Sequence, residues 1–202
     1  MAMITPDSSL LPLRDVKVVD FGQYMAGPAV AMILADLGAT VVHIDPPDGP
    51  LWDTPANATL NRNKLIVTID LKTAEGLEQA LALIEEADIV VENFRPGVMA
   101  RMGLDLAALR TARPELITLS IPGFASNDEL RRDWRAFESV INAQSGVFTD
   151  MGLNRVLMGI NPSFSPLPLA SAYGTMLAAS AAVLALQARE RTGPGDPAQR
   201  PP

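Results

Sequence analysis

Short apolar runs rich in β-branched residues recur along this chain, with stretches of helical spacing between them. The runs at residues 17–21, 40–44, 63–71, 88–91 and 116–120 read as strands. They are largely apolar, without a sustained polar alternation, as strands covered on both faces are. Between them, residues 29–37 form an apolar helical segment. Residues 74–87 place Leu77, Leu81 and Ile84 at helical spacing behind a capping Thr73. Pro96 and Gly97 break the strand before them and open a short helix through Met102, and residues 104–111 form another. Strands alternating with helices predict an α/β fold, a Rossmann-like, doubly wound, mostly parallel sheet with flanking helices. Residues 45–61, rich in Pro, Asp and Gly, read as a loop. Beyond Gly123 the pattern loosens. A charged loop or turn of helix at 127–134 precedes a helix at 137–143, a long connection at 147–168 and one long helix at 169–189. Residues 1–13 read as a loose arm, 14–191 as the main domain, and 192–202, rich in Gly and Pro, as a disordered tail. No internal repeat is visible.

The stretch from Val16 to Gly38 organises the rest. Gly22 and Gly27 bracket a turn where backbone can approach a ligand closely. Pro28 suits the first position of a helix, and Gly38 sits where that helix closes. The strand at 40–44 completes a βαβ unit. A helix N-terminus at a strand's carboxyl edge is where anions and cofactors settle.

Composition narrows the chemistry. The 202 residues are 48% hydrophobic but only 5% aromatic, a make-up suited to helices packed on a sheet. A net charge of −7 and a pI near 4.7 argue against nucleic acid as a partner, so a polyanionic ligand needs a local cluster of cations. The absence of cysteine removes disulfides, thiolate metal sites and a Cys nucleophile. No basic n-region precedes the first apolar residues, and residues 170–186, full of Ala, Ser and Gly, read as a buried or interfacial helix rather than a membrane span. A cytoplasmic protein without a membrane partner is expected. Neither a Gly-x-Gly-x-x-Gly nor a Walker A motif occurs, and no metal-ligand cluster is visible, so no metal is expected. The single histidine, His43, reads as a packed or edge strand residue rather than a base. Ser171 has no histidine near it in sequence, which disfavours a Ser-His-Asp hydrolase. Lys72, Arg95, Arg101 and Arg135 flank strand ends. In a parallel sheet those ends share one edge, so several of the four can converge on a phosphate group; otherwise they are ordinary surface cations.

An ordered set of short motifs adds a resemblance. Asp20-Phe21, Ala26-Gly27-Pro28 and Leu34-Ala35-Asp36-Leu37-Gly38-Ala39 resemble the opening of the family III CoA-transferases, the group of the formyl-CoA and carnitine-CoA transferases and the α-methylacyl-CoA racemases. The resemblance continues through Asn63-Lys64, Asp70-Leu71-Lys72, Ala87-Asp88, Glu92-Asn93-Phe94-Arg95-Pro96-Gly97, Arg101-Met102-Gly103-Leu104, Pro114, Gly123-Phe124 and Thr192-Gly193-Pro194-Gly195. It implies a Rossmann-like large domain, here its N-terminal portion, from a fold whose dimers are interlocked. Either the chain is a fragment or truncated product, or a partner chain supplies the rest.

What the resemblance implies about ligands is specific. Coenzyme A or an acyl-CoA is the expected substrate. Gln23, Tyr24 and Met25 fall in the turn that lies against CoA, and Lys72 falls near its nucleotide. Asn93 and Phe94 line the CoA channel, Arg101 and Met102 follow as contacts, and Arg135 holds a basic position. Pro46 departs from the pattern, standing where a basic residue often meets the nucleotide. The family nucleophile is an Asp that attacks the acyl-CoA thioester to give an aspartyl anhydride and then an aspartyl-CoA thioester. Ser171 stands at that position, with no base evident beside it, and a hydroxyl forms only a less reactive ester. Glu138 lies in a segment that borders the active site in relatives and can assist or substitute. The main expectation is transfer of CoA between an acyl-CoA and a small carboxylic acid, in a homo- or heterodimer with a CoA-transferase chain. The alternatives are a catalytically impaired CoA-binding subunit whose sister chain holds the Asp, an acyl-CoA racemase-like enzyme, and a nucleotide binder unrelated to CoA.

Overall fold

The computed structural model describes residues 11–148, 159 and 164–192. Five strands, β1 (Lys17–Asp20), β2 (Thr40–Asp45), β3 (Lys64–Thr68), β4 (Ile89–Glu92) and β5 (Ile117–Ser120), form one sheet in the order β3-β2-β1-β4-β5. Every pairing is parallel. Val18 of β1 stands beside Val41 on one side and Ile89 on the other. The chain winds outward from β1 to β3, returns to the other side of β1, and winds outward again to β5. That reversal leaves a crevice at the carboxyl ends of β1 and β4, where open α/β sheets bind ligands.

Successive strand residues point to opposite faces, and each face carries its own core. Val18, Val41, Ile89, Val91, Ile117 and Leu119 pack with Val30, Ala31 and Leu34 of α1 (Ala26–Asp36) and Ala179, Ala182, Ala185 and Leu186 of α7 (Leu169–Thr192). Val19, Phe21, Ile44 and Val90 pack on the other side with Ala80 and Ile84 of α3 (Ala74–Glu86). Met99 of α4 (Val98–Arg101) and Leu104, just before α5 (Leu106–Ala112), complete that core. The α/β, doubly wound reading therefore holds, with helices on both faces.

Local chemistry sets the element ends. The Thr73 hydroxyl accepts the Gly76 N–H at 3.0 Å and caps α3, whose C-terminal carbonyls at Ile84, Glu85 and Ala87 accept from the Arg113 guanidinium. Gly38, at φ +105°, closes α1 in a conformation that favours glycine.

Several boundaries differ from expectation. α1 begins at Ala26, so Pro28 sits third in the helix, still in the first turn where its missing N–H would have no partner. The expected 45–61 loop contains α2 (Pro55–Leu60), opened by Pro55 after an extended Thr54. β3 is shorter than residues 63–71, because Asp70 turns the chain. Its side chain accepts the Lys72 N–H at 3.0 Å and its carbonyl accepts both the Thr73 N–H and hydroxyl. The end of the expected N-terminal arm is anchored: Leu13 is buried and its N–H donates to the Leu37 carbonyl at 3.0 Å. Residues 1–10, most of the 147–168 connection and the tail from 193 lie outside the described residues.

α7 is long and apolar enough to cross a membrane by length and composition. Its Thr175, Ala179, Ala182, Ala185 and Leu186 are nevertheless buried in this fold, while Tyr173, Met176, Leu177 and Leu184 are exposed on the other side.

Candidate functional site

The crevice is built around the turn that follows β1. Phe21 keeps its place in the ladder, donating to the Val91 carbonyl at 2.9 Å, and the chain then folds back on itself. A Cβ on Gly22 would lie 2.7 Å from the Gly27 backbone, and one on Gly27 would lie 2.6 Å from the Gly22 Cα. The two glycines are in backbone contact, and no other residue fits at either. Within this turn Tyr24 has φ +63°, a left-handed conformation that is a genuine outlier for a bulky side chain.

Asn93 fixes the turn from the side. The side chain follows β4, and its Oδ1 accepts the Gln23 N–H at 2.8 Å while its Nδ2 donates to the Gln23 carbonyl at 2.8 Å. One amide therefore clasps the β1 and β4 turns together.

Asp20 fixes the turn from below. It is fully buried, and its Oδ1 accepts the Gly22 N–H at 2.8 Å. Its Oδ2 accepts from the Lys64 ammonium at 2.9 Å and meets His43 Nδ1 at 2.8 Å. Lys64 Nζ also donates to the Pro28 carbonyl at 2.8 Å and to Asn61 Oδ1 at 2.9 Å, so all three of its donors are used. Burial alone would raise the Asp20 pKa, but the His43 hydrogen bond and the Lys64 charge hold it below the usual carboxylate range. Burial draws Lys64 below the usual lysine range, and the charge of Asp20 opposes that shift. Glu92, buried at the end of β4, is raised above the usual range by burial, against hydrogen bonds from Ser120 and the Phe94 N–H.

The opposite wall comes from α6 (Glu138–Gln144) and the start of α7. The Glu138 carboxylate accepts from the Ala170 N–H at 2.7 Å, the Ser171 N–H at 3.0 Å and the Asn142 amide at 3.1 Å. The Ser171 hydroxyl donates to the same carboxylate at 2.6 Å. Glu138 thus caps a 24-residue helix, a favourable place for negative charge, and holds the Ser171 hydroxyl as a donor. The expectation that no base stands beside Ser171 is corrected, because the fold brings a carboxylate from 33 residues upstream into direct contact.

Between these walls lies a cavity of about 930 Å³, at the upper end of the range for small-molecule sites. Gln23, Tyr24, Met25, Asn93, Phe94, Arg135, Glu138 and Ser171 all border it. Its walls also carry Trp52, Trp134, Phe137 and Phe164, which motif reading did not single out. Trp134 is braced edge-on by Phe124, with ring centroids 6.0 Å apart.

Of the four cations at strand ends, two meet at the cavity. Arg95 and Arg135 border the cavity, and Lys72 and Arg101 do not. Lys72 follows β3, two strands from β1 and on the side away from β4. Arg101 is exposed at the end of α4. Met102 also lies off the cavity, packed against the core on the α3 side of the sheet. Sequence spacing assigns no site role to Asp20 and Lys64, which are 44 residues apart and meet only through the sheet.

The sequence and fold have known relatives. The model of CoA-transferase family III matches residues 13–199. The CoA-transferase/lyase DddD of Marinomonas sp. is 70% identical over 186 residues, covering 92% of this chain and 22% of that protein. The succinyl-CoA–L-malate CoA-transferase alpha subunit of Chloroflexus aurantiacus is 34% identical over 202 residues, covering 92% of this chain and 45% of that protein. Among solved structures, a CAIB/BAIF family protein from Brucella suis superposes with a TM-score of 0.82 at 31% identity, covering 92% of this chain and 51% of that one. The chain thus spans about half the length, or less, of these relatives. With the family model matched over nearly all of its length, the chain belongs to CoA-transferase family III.

Proposed function

We propose that this chain binds coenzyme A in the crevice between the β1 and β4 turns and takes part in moving CoA between an acyl-CoA and a carboxylic acid. The observation that carries the reading is the clasped pair of turns, Gln23 to Asn93, facing the Glu138–Ser171 pair across one cavity. Arg95 and Arg135 supply positive charge for phosphate in an otherwise acidic chain. The aromatic side chains suit the adenine ring and the apolar parts of an acyl-CoA. Lys72 and Arg101 are candidates for the nucleotide end beyond the cavity's border.

A second reading is favoured by one residue. A carboxylate can form the anhydride and thioester that CoA exchange needs, and Ser171 offers only a hydroxyl already donated to Glu138. In that reading the chain is a CoA-binding subunit and a partner CoA-transferase chain, in a homo- or heterodimer, carries the nucleophile.

The test incubates the chain with an acyl-CoA and a second carboxylic acid, with and without Ser171→Asp, and follows exchange by mass spectrometry beside calorimetric titration of CoA. Heat on adding CoA is expected from both proteins. Exchange by the unmodified chain supports transfer on this chain itself. Exchange only after Ser171→Asp supports the second reading. Absence of both heat and exchange overturns both.

A further inference from the structure

We propose that Asp20 and Lys64 are positioning residues for the turn from Gly22 to Pro28, holding its two ends so that Gln23 and Tyr24 stand at the cavity. Asp20 Oδ1 accepts the N–H of Gly22, the first residue of the turn, and Lys64 Nζ donates to the carbonyl of Pro28, the last. The two side chains are bonded to each other at 2.9 Å and neither has any exposed surface. One buried ion pair therefore spans the mouth of the turn like a bar across its base. His43 orients the carboxylate through the other oxygen, leaving Oδ1 for the turn.

The sheet does not need this pair. β2 and β3 are already joined by a five-residue parallel ladder, and β3 is otherwise mostly exposed. A lysine on such an edge strand would ordinarily reach water, and burying it costs desolvation that only close partners offset. Its partners come from β1, the start of α1 and the residue after α2, and they meet directly under the turn. The turn needs such restraint, because Tyr24 is held in a conformation its side chain disfavours and Gly22 and Gly27 are pressed backbone to backbone.

The inference rests on the CoA reading only for what the turn binds, and the test separates the two. Lys64→Met leaves a buried carboxylate without its ammonium partner, held only by His43 and the Gly22 N–H, and is expected to melt well below the unmodified protein. Asp20→Asn combined with Lys64→Met removes both charges and is expected to recover most of that loss, since a neutral replacement of a buried pair is well tolerated. Recovery of stability does not restore the bond to the Pro28 carbonyl. Amide exchange at Gly22 and Gln23 in the double variant is therefore expected about tenfold faster than in the unmodified protein, the scale of one lost hydrogen bond, with β4 and α3 amides unchanged. CoA affinity, or KM for an acyl-CoA at unchanged kcat, is expected to weaken by a similar factor. Ile84→Val is the control: it lowers stability from the far core and leaves the turn's relative exchange unchanged. Turn amides in the double variant that exchange at the unmodified rate, in a folded protein, overturn the proposal. If Lys64→Met alone does not fold, the double variant carries the decision. If the unmodified protein shows no heat with CoA, the functional reading fails while the exchange result still decides this one.

Discussion

Truncating Asn93 tests whether the crevice is held by a single amide. Asn93→Ala removes two hydrogen bonds of 2.8 Å to the Gln23 backbone. Each contributes about 1 kcal/mol net when both partners are otherwise solvated. Gln23 is only 9% exposed, so part of the cost of unpaired backbone groups, about 1–3 kcal/mol, is added. A loss of about 2–4 kcal/mol in urea unfolding follows, together with weaker CoA binding as the Tyr24 turn relaxes. Asn93→Asp sharpens the test. Its carboxylate can still accept the Gln23 N–H but sets an acceptor against the Gln23 carbonyl. Only the protonated carboxyl can donate there, so folding raises the pKa of the introduced group. The folded state then holds the proton more tightly than the unfolded one, and stability is lost as pH rises through that value. Measured against the unmodified protein at each pH, the deficit of Asn93→Asp should be larger at pH 7 than at pH 4.5, while that of Asn93→Ala stays level. A deficit under about 0.5 kcal/mol for Asn93→Ala, the scale of a neutral surface change, or a pH-independent one for Asn93→Asp, would refute the clasp.

Three further outcomes are expected. Arg113→Ala strips the cap from the α3 carbonyls of Ile84, Glu85 and Ala87 and should cost about 2–3 kcal/mol, a fall in Tm of about 5–10 °C by calorimetry; an unchanged Tm would show those carbonyls to be satisfied by water. Glu92→Gln keeps an acceptor for the Phe94 N–H and removes a buried charge. Because the Glu92 pKa is raised on folding, its contribution is favourable below the ordinary value near 4.5 and lost as pH rises through the raised one. The variant should therefore melt higher than the unmodified protein at pH 8 and lose that advantage towards pH 4, and a gain of the same size at both pH values contradicts the assignment. Gly22→Ala puts a methyl group 2.7 Å from the Gly27 backbone and should abolish the heat of CoA binding, so affinity like that of the unmodified protein would show that the turn can open at no cost to the site.

The parts of this molecule legible in its sequence are those set by neighbours along the chain. β4 is buried throughout and reads as an apolar run, and α3 announces itself by the Thr73 cap and the spacing of Leu77, Leu81 and Ile84. Pro28 marks the start of α1 two residues late, because Met25, its N-cap, offers no capping side chain. α2 was hidden in a segment whose Pro and Asn residues favour turns. In the site, Gln23 and Asn93 were legible as residues of two turns, but the bonds between them depend on β1 lying beside β4, which only strand order fixes. The same order carries Lys72 away from the cavity. Asp20, His43 and Lys64 come from three different strands, and no spacing rule links them. Glu138 is legible only through the family resemblance, because its distance from Ser171 along the sequence does not show that α6 and α7 meet.

That contact bears on what an aspartate at position 171 would do in this fold. Glu138 already accepts two backbone N–H groups, an amide and a hydroxyl, so it is committed to capping α7. A carboxylate introduced where the Ser171 hydroxyl now sits would face it at hydrogen-bond distance. Two carboxyl groups that close cannot both ionise without cost, and the pair keeps its bond only by holding a proton between them. Serine removes the conflict by supplying the proton permanently. The clasped turns and the aromatic walls do not depend on position 171, so a change there leaves them in place. If Ser171→Asp restores CoA exchange, its rate should rise with pH as the shared proton is lost and the introduced carboxylate becomes free to attack. A pH-independent rate would mean that the two carboxyls avoid each other, and that Glu138 had released α7 to make room.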